Sequence, residues 1–182
     1  SDHENDVKVF TDLAEMLKDD NIDAVYIASP NSLHAPQAIQ CLNAGKHVLG
    51  EKPSAANCKE LDKIIAAAQQ NKRCYMEALM SLHLPNYKVV KNNIDRIGTP
   101  RKYVGQYCQY SSRYSLMLSQ QGEIPNTFLP EFANGALMDL GIYPLYPLID
   151  CWGKPDSISA QGILLPTGVD GAGDLQLQYG KN

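Results

Sequence analysis

Three short apolar runs separated by segments of helical periodicity constrain this chain more than anything else in it. Residues 23–28 are apolar almost throughout and close at Ser29-Pro30-Asn31, residues 46–50 form a second short run, and residues 73–78 form a third. A continuous apolar run of strand length is how a strand buried on both faces of a parallel sheet reads. Between the first two runs, the spacing predicts a helix from about Pro36, where proline is tolerated in a first turn. It continues through Ala38, Ile39 and Leu42 to a glycine cap at Gly45. A second helix follows the capping box of Asn57 and Glu60, with Leu61, Ile64, Ile65 and Ala68 as its core stripe. Upstream, Asp12 and Glu15 cap a short helix carrying Leu13, Met16 and Leu17 and ending near Asn21, and the polar residues 1–8 read as a cut end.

Strands alternating with helices imply right-handed crossovers and a parallel sheet whose strands all point one way. Such strands share a carboxyl edge, and in open α/β sheets ligands bind outside that edge. The segments leaving it are Ser29, Pro30 and Asn31, then Glu51, Lys52 and Pro53, then Glu77 to Leu79. Sheet geometry alone nominates them as a site.

After Leu79 the pattern changes. A helix near residues 86–97 leads through Gly98-Thr99-Pro100 into residues 101–110, a β-like run, and residues 157–165 and 175–179 also read as strands, the last strictly alternating. In residues 101–110, Tyr103, Gly105, Tyr107 and Gln109 share one face of such a strand, and Val104, Gln106, Cys108 and Tyr110 share the other. One face has to cover the helices of its own domain. The other exposes large amphipathic rings beside polar groups, a mixture found at protein interfaces, against the ordinary alternative of a solvated sheet face. Residues 119–132 are rich in turn formers. The expected fold class is α/β: a partial parallel sheet over residues 1–80, then an α+β domain over 81–182 with an open, mainly antiparallel sheet and one polar face.

Composition sets the outer bounds. With 182 residues, 44% of them apolar and 20% charged, this is ordinary globular material. A net charge of -4 and a pI near 5.5 argue against nucleic acid or an anionic membrane as partner, since both need a basic footprint. No apolar run reaches about 18 residues and no basic leader precedes an apolar one, so a soluble, cytoplasmic protein is expected. The five cysteines form no CxxC pair, and His3, His34, His47 and His83 show no ligand spacing, so neither a disulfide frame nor a metal site is expected. The glycines of residues 168–173 miss the G-x-G-x-x-G spacing because position 176 is Gln176, and they read as a turn.

The most chemically suggestive stretch is residues 135–144. If it is helical from Ala136, Asp139 and Tyr143 stand four residues apart on one face, so a carboxylate and a phenol converge on one small volume. A facing lysine, with Lys52 as candidate, would complete a proton-transfer set, because positive charge makes a phenol a better acid or base near neutral pH. In isolation, the same spacing also describes a solvated aspartate and a rim aromatic. Pro144 and Pro147 either kink this helix or, for Pro144, occupy the first turn of an irregular start.

Residues 28–34 (ASPNSLH), 44–53 (AGKHVLGEKP), 77–80 (EALM) and 135–144 (GALMDLGIYP), in that order and spacing, resemble the glucose-fructose oxidoreductase and inositol dehydrogenase (Gfo/Idh/MocA) family across nearly the whole chain. The D-x-x-x-Y version resembles the glucose-fructose oxidoreductase and dihydrodiol dehydrogenase branch more than the inositol dehydrogenase branch, which carries histidine there. The resemblance implies a Rossmann domain over residues 1–80, an α+β substrate and dimerisation domain over 81–182, and NAD or NADP as cofactor. It also implies a sugar-like or diol substrate and pairing through the second-domain sheet. It assigns catalysis to Lys52, Asp139 and Tyr143, and cofactor contacts to Pro30, Asn31, His34, Glu51 and Pro53. Ser29, Lys52 and Glu77 join that cofactor set from the same carboxyl-edge segments.

Two departures accompany the resemblance. Ala133-Asn134-Gly135 stands where the family usually has three glycines. The family's opening strand, glycine loop, helix and second strand are absent, and residues 179–182 fall in mid-sheet by the family pattern, so the chain reads as truncated at both ends and inactive alone. A non-catalytic relative binding a sugar or nucleotide is the alternative; lysine, aspartate and tyrosine retained together favour the enzyme.

Overall fold

The structure is a computed structural model describing residues 7–119 and 123–180. Most of the polar start and the last two residues therefore lie outside the described residues, as do Gln120, Gln121 and Gly122 of the turn-rich stretch. The chain divides into two compact units: residues up to Ser29 with His34–Glu77, and Pro30–Leu33 with Ala78 onward.

In the first unit, α1 (Leu13–Leu17), β1 (Ala24–Ile27), α2 (Asn31–Asn43), β2 (His47–Gly50), α3 (Cys58–Asn71) and β3 (Tyr75–Glu77) follow one another. The strands form a parallel sheet in the order β1-β2-β3. Both expected N-caps form: Asp12 Oδ1 accepts from Glu15 N at 2.8 Å, and Asn57 Oδ1 accepts from Glu60 N at 3.1 Å. Gly45, with φ +77°, ends α2 in a Schellman motif, Gly45 N donating to Leu42 O and Lys46 N to Cys41 O. The helix α3 ends in the same motif, but Lys72 takes the left-handed position at φ 53°.

Two expectations are corrected here. Helix α2 starts at Asn31, not near Pro36, so Pro36 lies inside it and deprives the Ser32 carbonyl of its usual donor. The first strand is not covered on both faces. Helices α2 and α3 pack on the face carrying Ile27 and Val48, forming a core with Leu17, Ala38, Leu42 and Ile64. The in-register row Tyr26, Leu49 and Met76 faces away, and Tyr26 is 56% exposed.

The second unit holds a 3₁₀ turn (Met80–His83), α4 (Pro85–Asn93), a further 3₁₀ turn (Ile94–Ile97) and α5 (Tyr114–Ser119). Short 3₁₀ turns at Asn126–Phe128 and Pro130–Phe132 then lead to a π-helical turn (Leu137–Gly141) that runs directly into α6 (Ile142–Trp152). The strands β4 (Ser157–Leu164) and β5 (Asp170–Gln178) pair antiparallel. Asp150 on α6 ties that helix to α4, accepting from Lys91 Nζ at 2.7 and 2.8 Å and from the Tyr87 hydroxyl at 2.6 Å. The expected polar sheet face is present: Ser157, Ser159 and Gln161 stand opposite Gln178, Gln176 and Asp174.

Two further corrections fall in this unit. Residues 101–110 are not a strand and pair with no strand among the described residues. Their predicted two-face alternation nevertheless survives as packing, because Tyr103, Gly105 and Tyr107 all meet α6. The glycine stretch 168–173 is a turn only as far as Val169, with Leu165 N donating to Val169 O. Asp170–Gly173 already belong to β5, where Gly173 faces Gly162 and a Cβ on it would lie 2.9 Å from the Gln161 carbonyl. The glycines serve a close approach between strands as well as a turn.

Candidate functional site

Parallel strands deliver the segments after β1 and β2 to neighbouring places. Glu51 N donates to Ile27 O at 2.9 Å, so the β1–β2 ladder continues one residue past the end of β2. The ring of His34, buried at 2% exposure, then spans the two segments, with Nδ1 at 2.7 Å from Pro53 O and Nε2 at 2.7 Å from Ser29 O. Carbonyl oxygens only accept, so both bonds draw on ring N–H groups, and a neutral ring serves one at a time. His34 therefore acts as an internal staple of this edge.

The other carboxyl-edge residues are similarly engaged. Ser29 Oγ donates to Gln37 Oε1 at 2.7 Å. Glu77 Oε1 accepts from Ser54 N at 2.8 Å, fixing the backbone just after the cis Lys52-Pro53 bond to the end of β3. Glu51 accepts from the Tyr26 hydroxyl and, through Oε2, from Lys52 N at 3.2 Å. Donation to Glu51 raises the Tyr26 phenol above its ordinary value. Gly50 admits the Tyr75 ring, since a Cβ there would lie 2.7 Å from the Tyr75 hydroxyl oxygen.

In the second unit, Asn31 Nδ2 donates to Ala133 O at 3.1 Å and to Asn134 Oδ1 at 2.8 Å. Asn134 Nδ2 donates in turn to Asn126 O at 2.9 Å. The Ala133-Asn134-Gly135 lead-in turns through Ala133 at φ 54° and Gly135 at φ 144°. Asp170, at the start of β5, caps the turn that follows, its Oδ2 accepting from Leu137 N at 2.6 Å; a Cβ on Gly135 would collide with its Oδ1. This is the carboxylate at a helix start that backbone N–H groups and dipole favour.

Asp139 and Tyr143, both half-buried, lie in the π turn and the first turn of α6. Pro144 sits in that first turn behind an irregular start, the second of the two alternatives the sequence left open. Single π turns inside α-helices are frequent at functional positions. The Tyr143 ring stacks on Tyr107, centroids 5.4 Å apart and planes at 27°. A groove of about 1280 Å³ runs between residues 100–109, α6 and β5, but neither Asp139 nor Tyr143 lines it. The chemistry-bearing groups, and not this groove, mark the candidate site.

Ser54, Gln37 and Asp170 were not singled out by the sequence. Their partners lie 8 to 33 residues away and no local pattern announces them. Among the described residues, no group of three or more His, Cys, Asp or Glu could hold a metal ion, and no helix is long and apolar enough to cross a membrane.

Comparison with known proteins places the chain. Residues 2–79 match an oxidoreductase family with an NAD-binding Rossmann fold. The scyllo-inositol 2-dehydrogenase (NADP(+)) IolU of Bacillus subtilis (strain 168) is 48% identical over 175 residues, covering 96% of this chain and 53% of that protein. A trans-1,2-dihydrobenzene-1,2-diol dehydrogenase of Mus musculus is 34% identical over 174 residues, covering 94% and 50%. The solved structure of a levoglucosan dehydrogenase in complex with NADH and levoglucosan superposes with TM-score 0.81 at 24% identity over 93% of this chain and 48% of that one, a likeness of fold. The chain thus spans about half the length of the curated relatives it matches. The match to the Gfo/Idh/MocA oxidoreductase family, with its NAD-binding Rossmann fold, lies in residues 2–79, and the likeness over nearly the whole chain is to dehydrogenases.

Proposed function

We propose that the full-length protein is an NAD(P)-dependent oxidoreductase. In it, hydride moves between the nicotinamide and a hydroxyl-bearing carbon of a polyol, sugar-like or diol substrate. One observation carries the reading: Lys52, Asp139 and Tyr143 are retained together at the positions the family motifs assign to catalysis, within a chain 48% identical to a scyllo-inositol dehydrogenase. A pure binding module has no use for a phenol and a lysine at those positions. The identity to the inositol enzyme exceeds that to the dihydrodiol enzyme, 48% against 34%, which favours a cyclic polyol.

The carboxyl edge of the first unit suits the nicotinamide end of a dinucleotide. Its loops are held by His34, Glu77 and Ser54, and Lys52 supplies positive charge. In this reading Ser29, Pro30, Asn31, His34, Glu51, Pro53 and Glu77 shape or line that end, several of them by fixing backbone. A nicotinamide held at that edge would supply the hydride chemistry at the carbinol carbon. The Tyr143 oxygen takes the hydroxyl proton as the carbonyl forms and gives it back in reduction. Lys52 contributes the positive charge at the cofactor end, and Asp139 orients the substrate hydroxyl. The two units serve as cofactor and substrate domains, and the cytoplasmic protein pairs into a homodimer through the second-unit sheet.

The test is a fluorescence titration of the full-length protein with NADH and NADPH, followed by a turnover screen of inositols, sugars and diols. Tyr143→Phe is expected to lower kcat about a hundred- to ten-thousandfold with little change in cofactor affinity. Retention of more than half the activity refutes Tyr143 as the acid. Cofactor or sugar binding with no turnover of any substrate favours the regulatory relative instead. A monomer in sedimentation at micromolar concentration refutes the dimer.

A further inference from the structure

We infer that Tyr107 is a positioning residue for Tyr143, holding the phenol's orientation through ring stacking; this rests on the reading of Tyr143 as the proton-transfer group. The rings stand 5.4 Å apart at 27°, close to parallel, the offset arrangement that aromatic quadrupoles favour. A tyrosine on the first turn of a helix can swing about χ1. With Tyr107 against one face of the ring, that swing breaks the stack.

Tyr107 can do this only if its own backbone is fixed relative to Tyr143, and three contacts fix it. The Tyr103 hydroxyl donates to the carbonyl of Pro144, the residue after Tyr143, at 2.8 Å. The Tyr103 ring packs on Trp152 at the far end of α6, centroids 5.9 Å apart. Between the two tyrosines, Gly105 lies so close to α6 that a Cβ would come within 2.8 Å of Pro144 Cβ. Residues 103, 105 and 107 therefore run along α6 as one rail, joined to it at Pro144, directly after Tyr143, and at Trp152, at the far end of the helix. Burial alone does not account for the contact, because Tyr107 is 46% exposed. The π turn at Leu137–Gly141 lies just ahead of Tyr143, a non-standard turn of the kind frequent at functional positions.

Because Tyr107 needs a flat ring and not its hydroxyl, the substitutions separate cleanly. In the full-length protein, Tyr107→Leu is expected to lower kcat about ten- to a hundredfold, the range a sub-ångström to 1 Å misplacement produces. Cofactor affinity and melting temperature should stay as in the parent, and Tyr107→Phe should lie within twofold of it. Tyrosine-selective ¹³C labelling reads the orientation without reference to activity: the Tyr143 ring signals should shift and broaden in Tyr107→Leu and not in Tyr107→Phe. Unchanged ring signals in Tyr107→Leu overturn the inference, as does a kcat within twofold of the parent while Tyr143→Phe is impaired. Equal losses in the Leu and Phe variants also overturn it, since the hydroxyl would then be the acting group. If Tyr143→Phe keeps its activity, the proton-transfer reading fails, and the ring signals still decide whether Tyr107 fixes Tyr143. Tyr107→Trp, which keeps a flat ring, replaces Phe should that variant fold poorly.

Discussion

Replacing His34 by alanine tests the staple at the carboxyl edge. The ring is 2% exposed and holds two carbonyl oxygens, Pro53 O and Ser29 O, at 2.7 Å each. Orphaning a buried acceptor costs about 1–3 kcal/mol. Pro53 O lies on the buried side and Ser29 O on the partly buried side, where water can replace the lost donor, so a total of about 3 kcal/mol is expected. The assay is native-state hydrogen exchange in the full-length protein, read at the β1 and β2 amides, which report opening of this unit. A loss of about 3 kcal/mol accelerates exchange there about a hundredfold. His34→Gln keeps N–H donors at the site and should fall between alanine and the parent. Less than threefold faster exchange in His34→Ala would show that the carbonyls find other partners and that the ring is not the staple.

Asp170→Ala removes the acceptor for Leu137 N, so it should destabilise the helix start by about 1 kcal/mol, with Asp170→Asn retaining most of that; urea midpoints of the two variants check it. Donation from Lys91 first, and from Tyr87 second, holds the Asp150 carboxyl below the usual carboxylate range. A depressed folded value means the contribution is present above the unfolded value of about 4 and is lost as pH falls through the folded value. Urea midpoints should drop across that acid window, and Asp150→Asn should flatten the drop.

What was legible in the sequence is what local chemistry dictates. Asp12, Asn57 and Gly45 perform at helix ends as their side chains, or lack of one, require. The same logic could not find Lys72 in its left-handed position, because nothing but the requirement to end α3 puts a lysine there. Residues 101–110 show the boundary most clearly. Alternation correctly sorted Tyr103, Gly105 and Tyr107 onto one face, yet it carries no information about whether a neighbouring strand is present to pair with. His34 and Asp170 were opaque for a related reason. A lone histidine and an aspartate beside glycines have no local signature, and their partners, Pro53 O and Leu137 N, meet them only once the chain is folded. The spacing of Asp139 and Tyr143 was legible, but the π turn beneath it was not.

The hairpin of β4 and β5 has a bearing on how the protein behaves in the tube. Every residue of β4 is exposed, none of Ser157–Leu164 is charged, and Ile158, Ile163 and Leu164 are each at least 64% exposed. Among the described residues its outer edge pairs with no strand. Lysines, prolines and bulges usually guard such edges, and here the sole irregularity is the bulge between Ile163 and Leu164. A strand this bare invites edge-to-edge stacking between molecules through β4 in concentrated preparations.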